Sequence, residues 1–167
     1  KDYFAKHSLT FSYRFDIYGL FIEDSVEKIL NKNGKLGFII PHTLLNNDSF
    51  EKLRLLLIQK VKIVSLIDLG PGVFDTAKNE TMLIFIENDT PNETFETQIL
   101  KSDRYLSNNC KSIHFKQNNF LGFPNHAFLL DLSDSSFILI NQLKKYTTNL
   151  GNFCTINQGL RTGDNEK

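Results

Sequence analysis

"VKIVSLIDLGPGVFDTAKNETMLIFIE", residues 61–87, contains the two strands that decide the fold. VKIVSLIDL and ETMLIFIE are short apolar runs of the kind that form buried strands, and only residues 70–79 separate them. A parallel crossover needs a dozen or more residues, usually including a helix. These two strands are therefore predicted to pair antiparallel.

Two helix–strand units are predicted upstream of this hairpin. The apolar spacing within residues 16–34 predicts an amphipathic helix that begins after Asp16. KLGFIIP, residues 35–41, is predicted to be a strand buried on both faces, as in a parallel sheet. Residues 48–60 predict a second helix with Asp48 at its cap. The fold class is therefore α/β, with the sheet ending in an antiparallel hairpin.

Downstream of the hairpin the sequence becomes polar and rich in turn residues at 88–94, which predicts a boundary there. A smaller mixed α+β segment is expected to follow. Its predicted elements are a strand that begins within residues 97–106, a strand at 126–132 and a helix at 134–146. A closing strand should then lead into the Gly-rich loop INQGLRTGDNEK, residues 156–167.

Composition sets limits on function. The 19 basic and 19 acidic residues cancel, so net charge gives no indication of a polyanionic partner. Cys110 and Cys154 lack metal-ligand spacing and indicate buried or semi-buried free thiols in a reducing compartment, hence a cytoplasmic protein. No two histidines lie four residues apart, so no metal site is predicted. No apolar run reaches the roughly 18 residues of a membrane helix.

Three stretches carry a family resemblance in their order and spacing. They are FDIYGLFIEDSVEKILNKNGKLGFIIPHTLLNNDSFEKLR, IDLGPGVFDTAKNETMLIFIE and INQGLRTGDNEK. Together they resemble the adenine-N6 DNA methyltransferases of restriction–modification systems, in the Taq-type and Eco57I-like group. The resemblance implies the carboxyl-terminal half of a Rossmann-like domain that uses S-adenosyl-L-methionine. The family's Asn-Pro-Pro-Tyr motif and first Gly-rich βα turn are expected upstream of Lys1, so the chain alone should be inactive.

The resemblance also implies a division of the chain. Residues 1–90 would be the carboxyl-terminal half of the catalytic domain. Residues 91–150 would be a connecting segment, and residues 151–167 the start of a target-recognition domain. Double-stranded DNA is the implied partner, and a nuclease could be fused to the enzyme. An incomplete parallel sheet would expose an unpaired apolar edge, so the fragment is expected to dimerise, cap that edge or dissolve poorly.

Phe74 is the candidate catalytic residue. In the resembling family an aromatic ring in this loop stacks on an adenine that has been flipped out of the duplex. Such stacking contributes about 1–3 kcal/mol per base in single-strand binders. The turn Gly70-Pro71-Gly72 could present the ring at the end of the sheet. The competing interpretation is that Phe74 fills the core beneath its loop.

Other site residues are implied by the resemblance alone. Phe21 and Tyr18 would border the cofactor, although a helix face packed on the sheet explains both equally well. Lys78 would lie near a DNA phosphate, unless it is an ordinary solvated lysine. Residues of the closing loop would approach DNA in the recognition domain: Arg161, Thr162 and Gly163. His42 and Asp68 end strands, where α/β sheets place ligands, but neither receives a role.

Two other functions compete with this enzyme. One is a DNA-specificity or interaction module without catalysis, although the zero net charge argues against autonomous DNA binding. The other is an α/β domain that methylates protein or RNA, because the fold alone does not determine the substrate.

Overall fold

The structure is a computed structural model that describes residues 6, 8–12, 16–74, 80–101, 111–130, 134–146, 148, 150–155 and 157. The chain forms two compact units, Lys1–Ser133 and Asp134–Lys167. The first unit contains the sheet and the predicted site residues that the structure describes, and the second contains one long helix.

Five strands form one mixed sheet in the order β1-β3-β2-β4-β5. They are β1 (Lys35–Pro41), β2 (Lys62–Gly70), β3 (Thr81–Glu87), β4 (Glu96–Lys101) and β5 (Lys111–Lys116). β3 pairs antiparallel with β2, so the predicted hairpin is confirmed. β3 also pairs antiparallel with β1, while β2 and β4 are parallel and β4 and β5 antiparallel.

The prediction for β1 was wrong in one respect. β1 pairs antiparallel with β3 from Lys35↔Glu87 to Pro41↔Thr81, and its residues are not buried on both faces. Ile40 is buried, whereas Ile39 on the opposite face is exposed. The physical reason is that β3 lies between β1 and β2, so the two strands run in the same direction without touching. Loop length predicts an antiparallel pair, but it does not say on which side of β2 the returning strand will lie.

The first helix, α1 (Ile17–Asp24), buries Tyr18 and Ile22 as the apolar spacing requires. It continues as a single π-helical turn, Ser25–Ile29, and ends there, before the predicted stop at residues 33–34. Asp16 occupies the cap position, but its side chain makes no capping hydrogen bond. The chain reverses towards β1 with Asn33 in the left-handed region, at φ 64°.

The connection from β1 to β2 consists of a short helix α2 (Thr43–Asn46), a 3₁₀ turn and helix α3 (Glu51–Lys60). The predicted Asp48 cap was wrong. Asn47 caps the turn, because its side chain accepts a hydrogen bond of 3.0 Å from the Ser49 N–H. The Asp48 carboxylate instead accepts a bond of 2.6 Å from the Asn125 amide.

The polar stretch at 88–94 does not interrupt the sheet, because β4 follows it and pairs with β2. A functional division near residue 90 stays a prediction. Residues 126–130 do not form the expected strand, since a 3₁₀ turn at Pro124–His126 precedes an irregular segment. Asn125 and His126 have φ of 51° and 54°, a conformation that a strand cannot continue.

A cluster of buried aromatic rings in the first unit is formed by β5 and the segment that follows it. The rings of Phe115, Phe120, Phe123 and Phe128 have centroids 5.0–6.5 Å apart in the contacts that join them. All four side chains are buried. Aromatic pairs at these distances stabilise a core beyond the area they bury.

Gln117 is the polar residue that ties this cluster to the sheet. Its amide nitrogen donates to the carbonyls of Ile58 and Val61, at 2.9 and 2.8 Å. Its amide oxygen accepts from the Ile63 N–H at 2.7 Å. The side chain is fully buried, and Ile63 stands beside a shift of register in the pairing of β2 with β3.

Replacing Gln117 by leucine is expected to lower the free energy of unfolding by about 3 kcal/mol. The change leaves one N–H and two carbonyl groups buried without partners, each costing on the order of 1–3 kcal/mol before relaxation. Urea unfolding followed by circular dichroism measures the loss. Gln98→Leu is the control, because Gln98 bonds only the exposed Ser112 hydroxyl. Equal stability of the two variants would contradict this role of Gln117.

The second unit contains the predicted helix, α4 (Asp134–Tyr146). Leu150–Asn152 is a 3₁₀ turn, and residues 153–155 are not part of a strand. The closing strand predicted from sequence is therefore absent from these described positions. Within the part of the chain that the structure describes, no helix has the length and apolar character to cross a membrane.

Candidate active site

Three strands bring their ends together at one edge of the sheet. β1 ends at Pro41 and β2 at Gly70, and both lie opposite Thr81, the first residue of β3. Parallel strands place their carboxyl ends at the same edge, where open α/β sheets bind their ligands. The sequence-predicted Phe74 follows the end of β2 at this edge.

The turn after β2 requires glycine. Gly70 and Gly72 have φ of 67° and 82°, and nothing lies within 4 Å of the position that a Cβ would occupy on either residue. Backbone conformation, rather than lack of space, therefore requires glycine at both positions. Phe74 comes two residues later, and 47% of it is exposed. The ring does not fill the core, so the geometry agrees with a surface role and disfavours the core-filling alternative.

A cluster missed by sequence reasoning lies beside this turn. His42 follows β1, Asp68 is near the end of β2 and Glu80 precedes β3. Nε2 of His42 lies 2.8 Å from Oδ1 of Asp68, and Nδ1 lies 3.2 Å from Oε2 of Glu80. The Asp68 oxygen also accepts a 2.8 Å hydrogen bond from the Gly70 N–H. Sequence reasoning placed His42 and Asp68 at strand ends, but their contact depends on the strand order.

Tyr18 connects α1 to the same edge. Its hydroxyl shares a hydrogen bond of 2.8 Å with the hydroxyl of Thr43, the residue after His42. Its ring stacks on Phe50, with centroids 5.0 Å apart. Burial raises the pKa of the Tyr18 hydroxyl, although the bond to Thr43 opposes the rise. Tyr18 is thus a packed residue that fixes α1.

Phe21 is one turn further along α1 and has the opposite environment, since 59% of it is exposed. Exposure of a large aromatic side chain leaves its ring open to a ligand or to another part of the protein. Of the two residues that the resemblance implies for the cofactor, Phe21 is the one with an accessible ring.

Glu23 organises residues 8–10 beside α1. Its carboxylate accepts bonds of 2.6 Å from the Ser8 hydroxyl, 2.6 Å from the Leu9 N–H and 3.1 Å from the Thr10 N–H, and a further bond from the Thr10 hydroxyl. Burial alone would raise the pKa of this carboxyl, but the hydrogen bonds outweigh it and lower the pKa below its ordinary value. Ser8, Leu9 and Thr10 lie 13–15 positions before Glu23 in the sequence. No sequence pattern indicated that they would bind its carboxylate.

This lowered pKa predicts a pH-dependent contribution to stability. A carboxyl whose pKa is lower in the folded state stabilises fully above its unfolded pKa of about 4.3. The contribution disappears as the pH falls through the folded pKa. Glu23→Gln is therefore expected to destabilise the protein at pH 7, by an amount that shrinks towards pH 3. Urea unfolding across this pH range measures the difference, with the exposed Glu93→Gln as the control. A difference that does not change with pH would contradict the account.

The remaining predicted site residues lie outside the described part of the chain: Lys78, Arg161, Thr162 and Gly163. Their proposed contacts with DNA stay predictions. Cys154 is exposed. Within the described ranges, no group of three or more His, Cys, Asp or Glu residues has the arrangement of a metal site.

A known protein family matches the segment of the chain that contains the carboxyl ends of β1 and β2. Residues 1–74 match the Eco57I restriction-modification methylase family. For these residues, the resemblance to restriction–modification methylases that the sequence motifs indicate is confirmed. The matched segment extends from before α1 to Phe74 and so includes the ends of β1 and β2. Comparison of the sequence with curated proteins finds no match.

Solved structures share the fold. The chain is similar to the type IIG restriction endonuclease BpuSI, with a TM-score of 0.60 and 14% identity over 87% of this chain and 19% of that one. It is also similar to a chain from a type I restriction–modification system, with a TM-score of 0.50 and 16% identity over 77% of this chain and 36% of that one. The chain thus spans about a fifth and a third of these two relatives. The likeness confirms the α/β fold class.

Proposed function

We propose that this chain forms the carboxyl-terminal half of the catalytic domain of a DNA methyltransferase from a restriction–modification system. The intact enzyme transfers a methyl group from S-adenosyl-L-methionine to N6 of an adenine within a specific duplex sequence. The observation that carries the proposal is the exposed ring of Phe74 on a glycine-dependent turn, at the end of a segment that matches a restriction-modification methylase family.

The chemistry explains why an exposed aromatic ring is needed. Adenine N6 inside a duplex cannot reach an enzyme group unless the base leaves the stack. A flipped base loses its stacking partners, and an aromatic face replaces part of that energy. The reaction needs no covalent intermediate, because the amine attacks the methyl group directly. Phe74 accordingly holds the base, and residues of the family motif outside this sequence orient the amine.

Within this chain, Phe21 is the residue proposed to contact S-adenosyl-L-methionine. S-adenosyl-L-methionine supplies a methyl group activated by its sulfonium charge. Phe21 offers an exposed ring that could pack against the adenosine moiety. The ring and hydroxyl of Tyr18 already have partners, so Tyr18 would act on the cofactor by fixing α1. The main walls of the pocket would come from the motifs expected upstream, and the chain alone would therefore be inactive.

DNA is the proposed partner, with Lys78 at a phosphate and Arg161, Thr162 and Gly163 in the first loop of the recognition domain. Such an enzyme acts on the DNA of its own cell, so we place it in the cytoplasm. BpuSI is itself a restriction endonuclease, which makes a nuclease domain in the same enzyme a reasonable proposal. When this chain is produced alone, β1 is expected to pair with a second copy, because it stands at one end of the sheet order.

Transfer of labelled methyl groups by the intact enzyme tests the proposal. Duplex DNA, RNA and a protein mixture are offered separately at equal concentration. We expect label in DNA alone, at one type of site. Label in RNA or protein would identify a different methyltransferase, and sequence-specific DNA binding without any transfer would favour the non-catalytic specificity module.

A further inference from the structure

The side chain of His42 contacts both ends of the loop that carries Phe74. This loop, called the Phe74 loop, runs from Gly70 to Glu80, and the structure describes residues 70–74 and 80. At the first end, His42 Nε2 lies 2.8 Å from the Asp68 oxygen that also accepts the Gly70 N–H. At the second end, Nδ1 lies 3.2 Å from Oε2 of Glu80.

The backbone of His42 adds a third contact. Its N–H donates a 3.1 Å hydrogen bond to the Glu80 carbonyl, which extends the pairing of β1 with β3 by one residue. The imidazole reaches past β3 to Asp68 on β2. The single residue that follows β1 therefore links the point where the loop leaves β2 to the point where it enters β3.

The contact between His42 and Asp68 is partly buried, whereas the side chain of Glu80 is 57% exposed. The side chains of His42 and Asp68 are 23% and 20% exposed, so both groups have lost most of their contact with water. A hydrogen bond to a carboxylate contributes little on an open surface and more where the two groups are partly buried with fixed geometry. A carboxylate oxygen lies 2.8 Å from Nε2 and another lies 3.2 Å from Nδ1, so the ring has an acidic neighbour on each side.

We propose that His42 is a positioning residue that fixes the ends of the Phe74 loop and so places the Phe74 ring against the flipped base. The inference rests on the proposed function, because it needs Phe74 to stack on that base. A base held between fixed groups reacts fastest when the distances are correct, and a displacement of about 1 Å can cost up to 100-fold in rate. His42 touches neither the base nor the cofactor and acts through the loop.

A double-mutant cycle in the intact enzyme tests the coupling. His42→Ala is expected to lower kcat roughly 10- to 100-fold. In a Phe74→Ala background the same change should lower kcat less than about twofold, because the ring it positions is gone. His114→Ala, at an exposed position of β5, is the control and should leave kcat unchanged. Equal losses from His42→Ala in both backgrounds would overturn the proposal.

Fluorescence separates positioning from a general effect on folding. The target adenine is replaced by 2-aminopurine, whose emission rises on flipping and is quenched by stacking. His42→Ala should raise the emission of the bound complex towards that of Phe74→Ala. Normal quenching with a lowered melting temperature would show a merely structural role and overturn the proposal. If His42→Ala does not fold, Asp68→Asn, which removes the charge and preserves the size, carries the same expectations.

These measurements also distinguish a failure of the proposed role of Phe74 from a failure of the proposed role of His42. If Phe74→Ala leaves kcat and fluorescence unchanged, the proposed role of Phe74 fails and that of His42 fails with it. If Phe74→Ala acts as expected and His42→Ala does not, only the positioning role is overturned.

Discussion

Replacing Phe74 by alanine in the intact enzyme is expected to lower kcat for DNA methylation roughly 10- to 100-fold. Loss of the aromatic face removes about 1–3 kcal/mol of stacking on the flipped base, and each 1.4 kcal/mol corresponds to a factor of ten. Thermal stability should change little, because the side chain is 47% exposed. Steady-state kinetics on a duplex with one target site and thermal unfolding together measure both effects.

Two further variants at this position show whether the ring itself matters. Phe74→Tyr retains the aromatic face and should keep most of the activity. Phe74→Leu retains apolar bulk without a π system and should resemble alanine more than tyrosine. Full activity of Phe74→Leu at wild-type stability would contradict stacking, since simple burial of apolar surface would then explain the role of Phe74.

Replacing Arg54 by methionine is expected to destabilise the first unit by about 3–5 kcal/mol, because each buried carbonyl left without a donor costs on the order of 1–3 kcal/mol. Arg54 is fully buried on α3. Nη1 donates bonds of 2.9 Å to the carbonyls of Leu44 and Asn47. Nε and Nη2 donate bonds of 3.1 and 2.7 Å to the Asn125 carbonyl.

These hydrogen bonds offset the free energy that the guanidinium loses when it is removed from water. Desolvation lowers the pKa of Arg54, although Glu51 and Asp48 oppose this by their charge. Removing the guanidinium takes a donor from three carbonyls, of which that of Asn47 keeps its bond from the Phe50 N–H, and breaks the link between α2 and the turn at Asn125. Lysine cannot replace the planar group, because its ammonium has different geometry, so Arg54→Lys should also destabilise.

Chemical denaturation measures these losses, with Lys52→Met as the control from the exposed side of α3. The control should change the free energy of unfolding by less than about 0.5 kcal/mol. A loss below 1 kcal/mol for Arg54→Met would contradict the structural role assigned to these hydrogen bonds.

The hairpin could be predicted from sequence because it depends on a local quantity, the length of one loop. The insertion of β3 between β1 and β2 could not, because it depends on how strands separated by 40 residues or more choose their neighbours. The sequence therefore predicted correctly that β1 belongs to the sheet, but it predicted parallel pairing where the pairing with β3 is antiparallel. β5 was missed, since KSIHFK has too few apolar residues to stand out as a strand.

The candidate site divides in the same way. Phe74 was predicted from its own turn residues and from the family motif, and the structure places it in an exposed position after the carboxyl end of β2. The contact between His42 and Asp68 crosses β3 and could not be foreseen without the strand order. Arg54, Gln117 and Glu23 are polar residues whose partners lie up to 71 positions away. A sequence shows such residues as charges or amides, while burial and partners arise only in the fold.

The most direct test of the central claim is the chemical identity of the methylated base. Duplex DNA labelled by the intact enzyme with S-adenosyl-L-methionine is digested to nucleosides, and these are separated by chromatography with mass detection. The account predicts that all the label elutes as N6-methyldeoxyadenosine from one defined site. Label in a methylated cytosine, or no label in DNA under conditions where the enzyme is folded and binds its cofactor, would contradict it.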